Sequence, residues 1–211
     1  MGEYIQLFIG LFTDLQLTLQ TFITMLGPWV YVLLFAIIFA ETGLVVTPFL
    51  PGDSLIFVIG MLVALGLLSF PITLGVLLSA AILGDTVNYH IGKFIGPKAF
   101  SMNSRFLKQE HLMKAQEFYE KHGTQTIIMA RFVPIVRTFA PFVAGISTMN
   151  YRKFILFNII GAVLWVVGLL IAGYFLGEIE IIKKNLEKVL ILIVLISVLP
   201  IIIEYWKNRK K

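Results

Sequence analysis

The chain has 211 residues, 58% of them hydrophobic and 14% charged, with a formal net charge of +5 and no cysteine. Soluble domains carry about a quarter charged residues and less apolar content, so a water-soluble core is excluded as the main architecture. The lack of cysteine excludes a disulfide framework and thiol chemistry. All 17 Lys and Arg residues follow position 92. In a chain this apolar, that asymmetry points to membrane topology rather than to nucleic acid, which is not an expected partner. The first basic residue is Lys93, so a cleaved signal peptide with a basic n-region is not expected.

Residues 1–27 alternate apolar positions (Leu7, Phe8, Leu11, Phe12, Leu15) with polar ones (Gln6, Thr13, Asp14, Gln16) at helical spacing. This predicts an amphipathic N-terminal helix at the membrane interface, ended by Gly27-Pro28. Residues 29–68 are apolar except for Glu41 and the stretch Thr47-Pro48-Phe49-Leu50-Pro51-Gly52-Asp53. Pro48, Pro51 and Gly52 interrupt a helix, and the second half, 54–68, rises only about 22 Å against a bilayer core of about 30 Å, so 29–68 reads as a re-entrant hairpin. Residues 72–92 are long enough to cross, with Asp85, Asn88, Tyr89 and His90 toward their end. Residues 93–123 are charged and form a connector. Residues 124–148 repeat the broken pattern: Arg131-Phe-Val-Pro134-Ile-Val-Arg137, then Pro141 and Gly145, make a second hairpin. Residues 152–176 are a further span, and 179–211 hold a last span and a basic tail. The fold expected is all-α integral membrane: an inverted pair of re-entrant hairpins, about three full spans and amphipathic interfacial helices.

By the positive-inside rule, the 93–123 connector and the C-terminal Lys207-Asn208-Arg209-Lys210-Lys211 face the cytoplasm. Counting back, the second hairpin then enters from the cytoplasm and the first from outside. Lys183 and Lys184 run against this bias.

Glu41 and Asp53 flank the first break, and Arg131 and Arg137 the second. A charge at bilayer depth costs roughly 2.5–3.5 kcal/mol on insertion scales, so these four must pair, face water or hold a charged ligand. One reading is two structural acid–arginine pairs. The other is an anion site, because the planar guanidinium fork suits phosphate. The three histidines, at 90, 111 and 122, have no metal-ligand spacing, and no metal or cofactor is expected. Trp165, mid-span, reads as packing. Asp85 reads equally as a helix-end residue or as part of a proton relay.

The residues Glu41-Thr-Gly…Pro51-Gly-Asp53, Gly84-Asp85…Tyr89…Gly92-Lys93, and Arg131-Phe-Val-Pro-Ile-Val-Arg137…Pro141…Ala144-Gly145 resemble the DedA family, also called the SNARE-associated or VTT-domain family. The resemblance spans roughly 28–178 and includes the spacing of 12 between the acids and of 6 between the arginines. One departure is Lys93, where many members have arginine. The resemblance implies a bacterial cytoplasmic-membrane protein with opposed re-entrant hairpins that moves lipids between leaflets, among them undecaprenyl phosphate or a phospholipid, with dependence on the proton motive force. It places the functional groups on Glu41, Asp53, Arg131 and Arg137.

The expected function is therefore transport of a phosphate-bearing lipid, with Arg131 and Arg137 binding phosphate and Glu41, Asp53 and Asp85 coupling protons or gating. The partners expected are an anionic lipid and protons, with a homo-oligomer left open. The alternatives are a proton-coupled antiporter of a small ion or drug, and a non-catalytic membrane assembly factor. An enzyme is not expected, because the arginine hairpin offers no His, Cys or Ser nucleophile and Thr138 has no evident base.

Overall fold

The computed structural model describes residues 15–44, 52–95, 109–147, 149–185, 188, 189 and 192. The described residues are helical with short turns. The helices are α1 (Leu15–Leu26), α2 (Trp29–Gly43), α3 (Gly52–Ala64), α4 (Phe70–Ile95), α5 (Gln109–His122), α6 (Thr126–Met129), α7 (Pro134–Ile146), α8 (Tyr151–Glu178) and α9 (Glu180–Lys184). The first 14 residues of the expected interfacial helix, most of the last span expected within 179–211, and Pro48 and Pro51 lie outside the described residues.

Among the described residues, two helices are long and apolar enough to cross a membrane: α4, with 26 residues, and α8, with 28. At 1.5 Å per residue they rise about 39 and 42 Å, more than a bilayer core of about 30 Å. Gln20–Leu26 and Trp29–Gly43 meet the same test together as a pair bent by 98°. The bend falls at Gly27-Pro28, where Gly27 takes a positive φ of 51° that a larger residue resists. By contrast α3 has 13 residues and α7 has 13, each too short to cross. The protein is thus an all-α membrane protein with helical hairpins and, among the described residues, two or three apolar spans.

The chain divides into two compact units. The first contains parts of 1–33, 53–73 and 169–211. In it α3 packs closely on the C-terminal part of α8. A Cβ added at Gly60 would overlap the carbonyl of Leu170, and one at Gly173 would overlap the carbonyl of Phe57. Such small-residue contacts let helix backbones approach where lipid supplies no hydrophobic driving force between them. The turn after α3 is closed by Gly66 at φ 74° and by the Tyr31 hydroxyl, which accepts from the Ser69 amide at 3.0 Å.

The second unit contains parts of 34–52 and 74–168 and holds the buried charges. Its apolar core joins Phe139, Phe142, Val143 and Ile146 of α7 to Ala130, with Ile91 and Tyr119 packed alongside. Tyr89 stacks on Phe154 at 4.4 Å, and its hydroxyl donates to the carbonyl of Met149, fixing the turn from α7 to α8.

Two residues expected at a break lie elsewhere. Pro141 sits inside α7, and Gly145 is one residue from its end. A proline in mid-helix forfeits one backbone hydrogen bond, and here the helix continues across it. Gly145 is a packing residue: a Cβ there would overlap the Tyr89 carbonyl and come within 2.7 Å of the Lys93 nitrogen, both fixed backbone of α4. Gly92 makes the reciprocal approach to the Phe142 carbonyl. The break itself is at Val133, extended at φ −118° and ψ 105°, and Pro134 opens α7, where a missing N–H costs nothing. Gly145→Ala should therefore destabilise the protein by about 1–3 kcal/mol through overpacking, read as a lower unfolding temperature in detergent.

Candidate functional site

Four ionised side chains of the second unit form two ion pairs. Arg131 Nη2 lies 2.5 Å from Asp85 Oδ2, with side chains only 3% and 6% exposed. Arg137 Nη2 lies 2.6 Å from Glu41 Oε1, with 9% and 2%. The two arginines stand on opposite sides of the break at Val133: Arg131 in a short 3₁₀ turn, Ala130–Phe132, and Arg137 in the first turn of α7. On an unbroken helix a spacing of six would set them about 120° apart. The extended residue between them lets both reach one place. Their guanidinium carbons lie 5.7 Å (Arg131) and 5.3 Å (Arg137) from the ring centre of Trp165.

The floor of the site is one face of α8. Asn158, Gly161 and Trp165 recur at i, i+3 and i+7 and so share a face. Asn158 Oδ1 accepts from Arg131 Nη2 at 2.5 Å, and Asn158 Nδ2 donates to the Ile82 carbonyl at 3.1 Å. Arg131 lies across Gly161, where an added Cβ would come within 3.0 Å of its Cδ and 3.1 Å of its Nε. That Nε–H is buried and has no hydrogen-bond acceptor among the described residues.

Close backbone contacts place the acids. α2 ends against α4, where a Cβ at Gly84 would overlap the Thr42 hydroxyl and lie 3.0 Å from the Gly43 nitrogen. Glu41 and Asp85 thus come from adjacent points of two touching helices. Asn88, fully buried, bridges the elements that carry the Arg137 pair. Its Nδ2 donates to the carbonyl of Thr42, next to Glu41, at 3.0 Å, and to that of Thr138, next to Arg137, at 2.8 Å. The Glu41 carboxylate also occupies the space that a side chain at Gly52 would need. Gly52 is the first residue of α3.

Glu41, Asp85, Arg131 and Arg137 come together, with Gly52 and Pro134 beside them or shaping the break. Asp53 stands half-buried in the first turn of α3, within the first unit. The partner of Arg131 is Asp85, which the sequence placed near a helix end. Because α4 continues to Ile95, Asp85 lies ten residues, about 15 Å, inside that terminus. Asn88, Asn158 and Gly161 enter as site residues that sequence reasoning did not single out. Trp165, read as packing, underlies both guanidiniums. The available signal was the Asn158–Gly161–Trp165 spacing on a span otherwise free of polar side chains from 154 to 173.

These features define a class: a helical membrane protein with a buried, electrically balanced pair of acid–arginine bridges at a broken helix. Comparison with known proteins narrows it. Residues 50–175 match the VTT domain family. The chain is 48% identical to protein DedA of Escherichia coli (strain K12) over 211 residues, covering 99% of this chain and 96% of that protein. It is 45% identical over 172 residues to a membrane protein of Mycobacterium tuberculosis, covering 79% and 74%. It is 34% identical over 202 residues to inner membrane protein YqjA of Escherichia coli (strain K12), covering 90% and 92%. No solved structure matches. The chain belongs to the DedA family of VTT-domain membrane proteins.

Proposed function

We propose that the protein moves a phosphate-bearing lipid between the leaflets of the bacterial cytoplasmic membrane, and that protons drive it. The lipid is a polyprenyl phosphate such as undecaprenyl phosphate, or a phospholipid. The observation that carries this reading is the convergence of two separately neutralised arginines on one indole. Two structural bridges need no shared platform. A site that must present two positive charges together does.

The charges set the logic of the cycle. Two arginines balance Glu41 and Asp85, so the resting cluster is neutral. A proton on either carboxylate releases one guanidinium charge for a phosphate oxygen, while the lipid tail stays in the bilayer. The buried Arg131 Nε–H supports the reading, since it offers a donor that neither Asp85 nor Asn158 uses. At a membrane potential of about 150 mV, one charge crossing is worth roughly 3.5 kcal/mol, enough for a gradient of a few hundred-fold. Asp53 serves as a gate or further proton site at the start of α3.

The architecture proposed with this function is an inverted pair of re-entrant hairpins, α2–α3 and α6–α7, within a core at 28–178 that lies between an interfacial segment (1–27) and a C-terminal span with its basic tail (179–211). Support comes from the short second halves of the hairpins. Each begins at or just after a proline and carries a glycine packed on a long helix: Gly60 of α3 against α8, and Gly145 of α7 against α4. The connector 93–123 and the C-terminus are placed in the cytoplasm. Asn103→Cys in this cysteine-free chain should then resist an impermeant maleimide in intact cells and react once the cells are opened. Labelling from outside would reverse the topology.

Reconstitution into liposomes tests the transport claim through Glu41→Gln, which mimics the protonated acid. The variant should still bind an anionic lipid but should lose the response of transport to a pH gradient. Were Glu41 only a structural partner, the variant would instead leave Arg137 with a weaker partner, and abundance would fall sharply. Normal abundance with unchanged gradient-driven transport would remove Glu41 from the mechanism.

A further inference from the structure

We infer that Trp165 is a positioning residue that holds Arg131 and Arg137 in place when their carboxylate partners let go. The inference rests on the transport reading above. Trp165 is 2% exposed, with the Arg131 and Arg137 guanidinium carbons 5.7 and 5.3 Å from its ring centre. An indole attracts a cation through its ring quadrupole, most strongly where water is excluded. Unlike a carboxylate, it adds no negative charge. Asp85 and Glu41 therefore hold the arginines by cancelling them, whereas Trp165 holds them and leaves both charges available to an anion.

The ring also limits where the guanidiniums can go. Arg131 is confined between Gly161 and Trp165, two positions one helical turn apart on α8. Without the ring, a guanidinium released by protonation of its acid would lose the surface that keeps it beside its neighbour. Protonation would then bring less stabilisation of the released state, and transport would need a lower pH to begin.

An aromatic series separates this role from packing. Phenylalanine and leucine leave similar space and similar apolar surface at position 165, but only phenylalanine presents a ring face. In proteoliposomes containing a labelled phosphate-bearing lipid, Trp165→Leu should raise the half-saturating lipid fraction about tenfold and move the pH profile acidward by about one unit. Trp165→Phe should lie between it and the wild type on both measures. Equal behaviour of the two variants, with both folded as judged by their unfolding temperatures, would overturn the inference and make Trp165 a packing residue.

Should Trp165→Leu not fold, a chain carrying Trp29→Phe and Trp206→Phe leaves Trp165 as the only tryptophan. Its emission should then change when vesicles containing an anionic phospholipid replace vesicles of neutral lipid. No change would overturn the inference. Wild-type protein that moves no phosphate lipid would bring down the transport reading and this inference with it. Wild-type transport matched by Trp165→Leu would bring down the inference alone.

Discussion

Replacing Asp85 with leucine should cost more stability than replacing Asp85 and Arg131 together with leucine and methionine. The single change leaves a 3%-exposed guanidinium without its counter-charge. Breaking a buried pair from one side costs about 3–5 kcal/mol, because the remaining ion has lost water and gained nothing in return. Removing both partners removes the desolvation cost as well, and apolar replacements of similar volume are often neutral. Asn158 remains as an acceptor for Arg131, but it carries no charge to offset the guanidinium. Unfolding of the two variants and of Arg131→Met in detergent closes a double-mutant cycle. Strictly additive costs would mean that the pair contributes nothing as a pair.

The second large effect concerns geometry rather than charge. Arg131→Lys and Arg137→Lys should each lose most transport while retaining most of the protein in the membrane. A lysine keeps the positive charge and can still reach a carboxylate. It lacks the planar fork that presents two nitrogens to two phosphate oxygens at once. In the resting pair a single Arg131 Nη2 meets both Asp85 and Asn158, so the loss falls on phosphate binding. It also lacks the flat cation that lies well against an indole. Full transport by both lysine variants would leave only a requirement for charge and would remove the phosphate-fork argument.

Much of the site was legible because its chemistry is out of place. Glu41, Arg131 and Arg137 stand out as charges within apolar stretches, and Pro134 marks the break between the arginines by local backbone rules. The pairing was not legible. Glu41 and Arg137 are 96 residues apart, and Asp85 and Arg131 are 46 apart. Which acid meets which arginine is decided by helix packing at Gly84 and Gly43, and hydropathy does not report on it.

The same limit explains Pro141 and Gly145. Both are local breaking signals, yet α7 continues through Pro141, and Gly145 serves contact with the Tyr89 backbone. Trp165 reads as packing for a related reason. A tryptophan mid-span usually packs, and only the positions of two distant arginines show what lies over it. Asn88 is similar, since its two acceptors are backbone carbonyls on other helices.

The account turns on a phosphate recognised by the paired arginines. The most direct measurement is leaflet-resolved transport by the wild-type protein in liposomes, with an imposed proton gradient, comparing a polyprenyl phosphate or anionic phospholipid with its dephosphorylated counterpart. The account predicts gradient-dependent movement of the phosphate-bearing lipid and little of the neutral one, with the difference lost in Arg131→Lys. Equal movement of both lipids, or movement indifferent to the gradient and to Arg131, would contradict it.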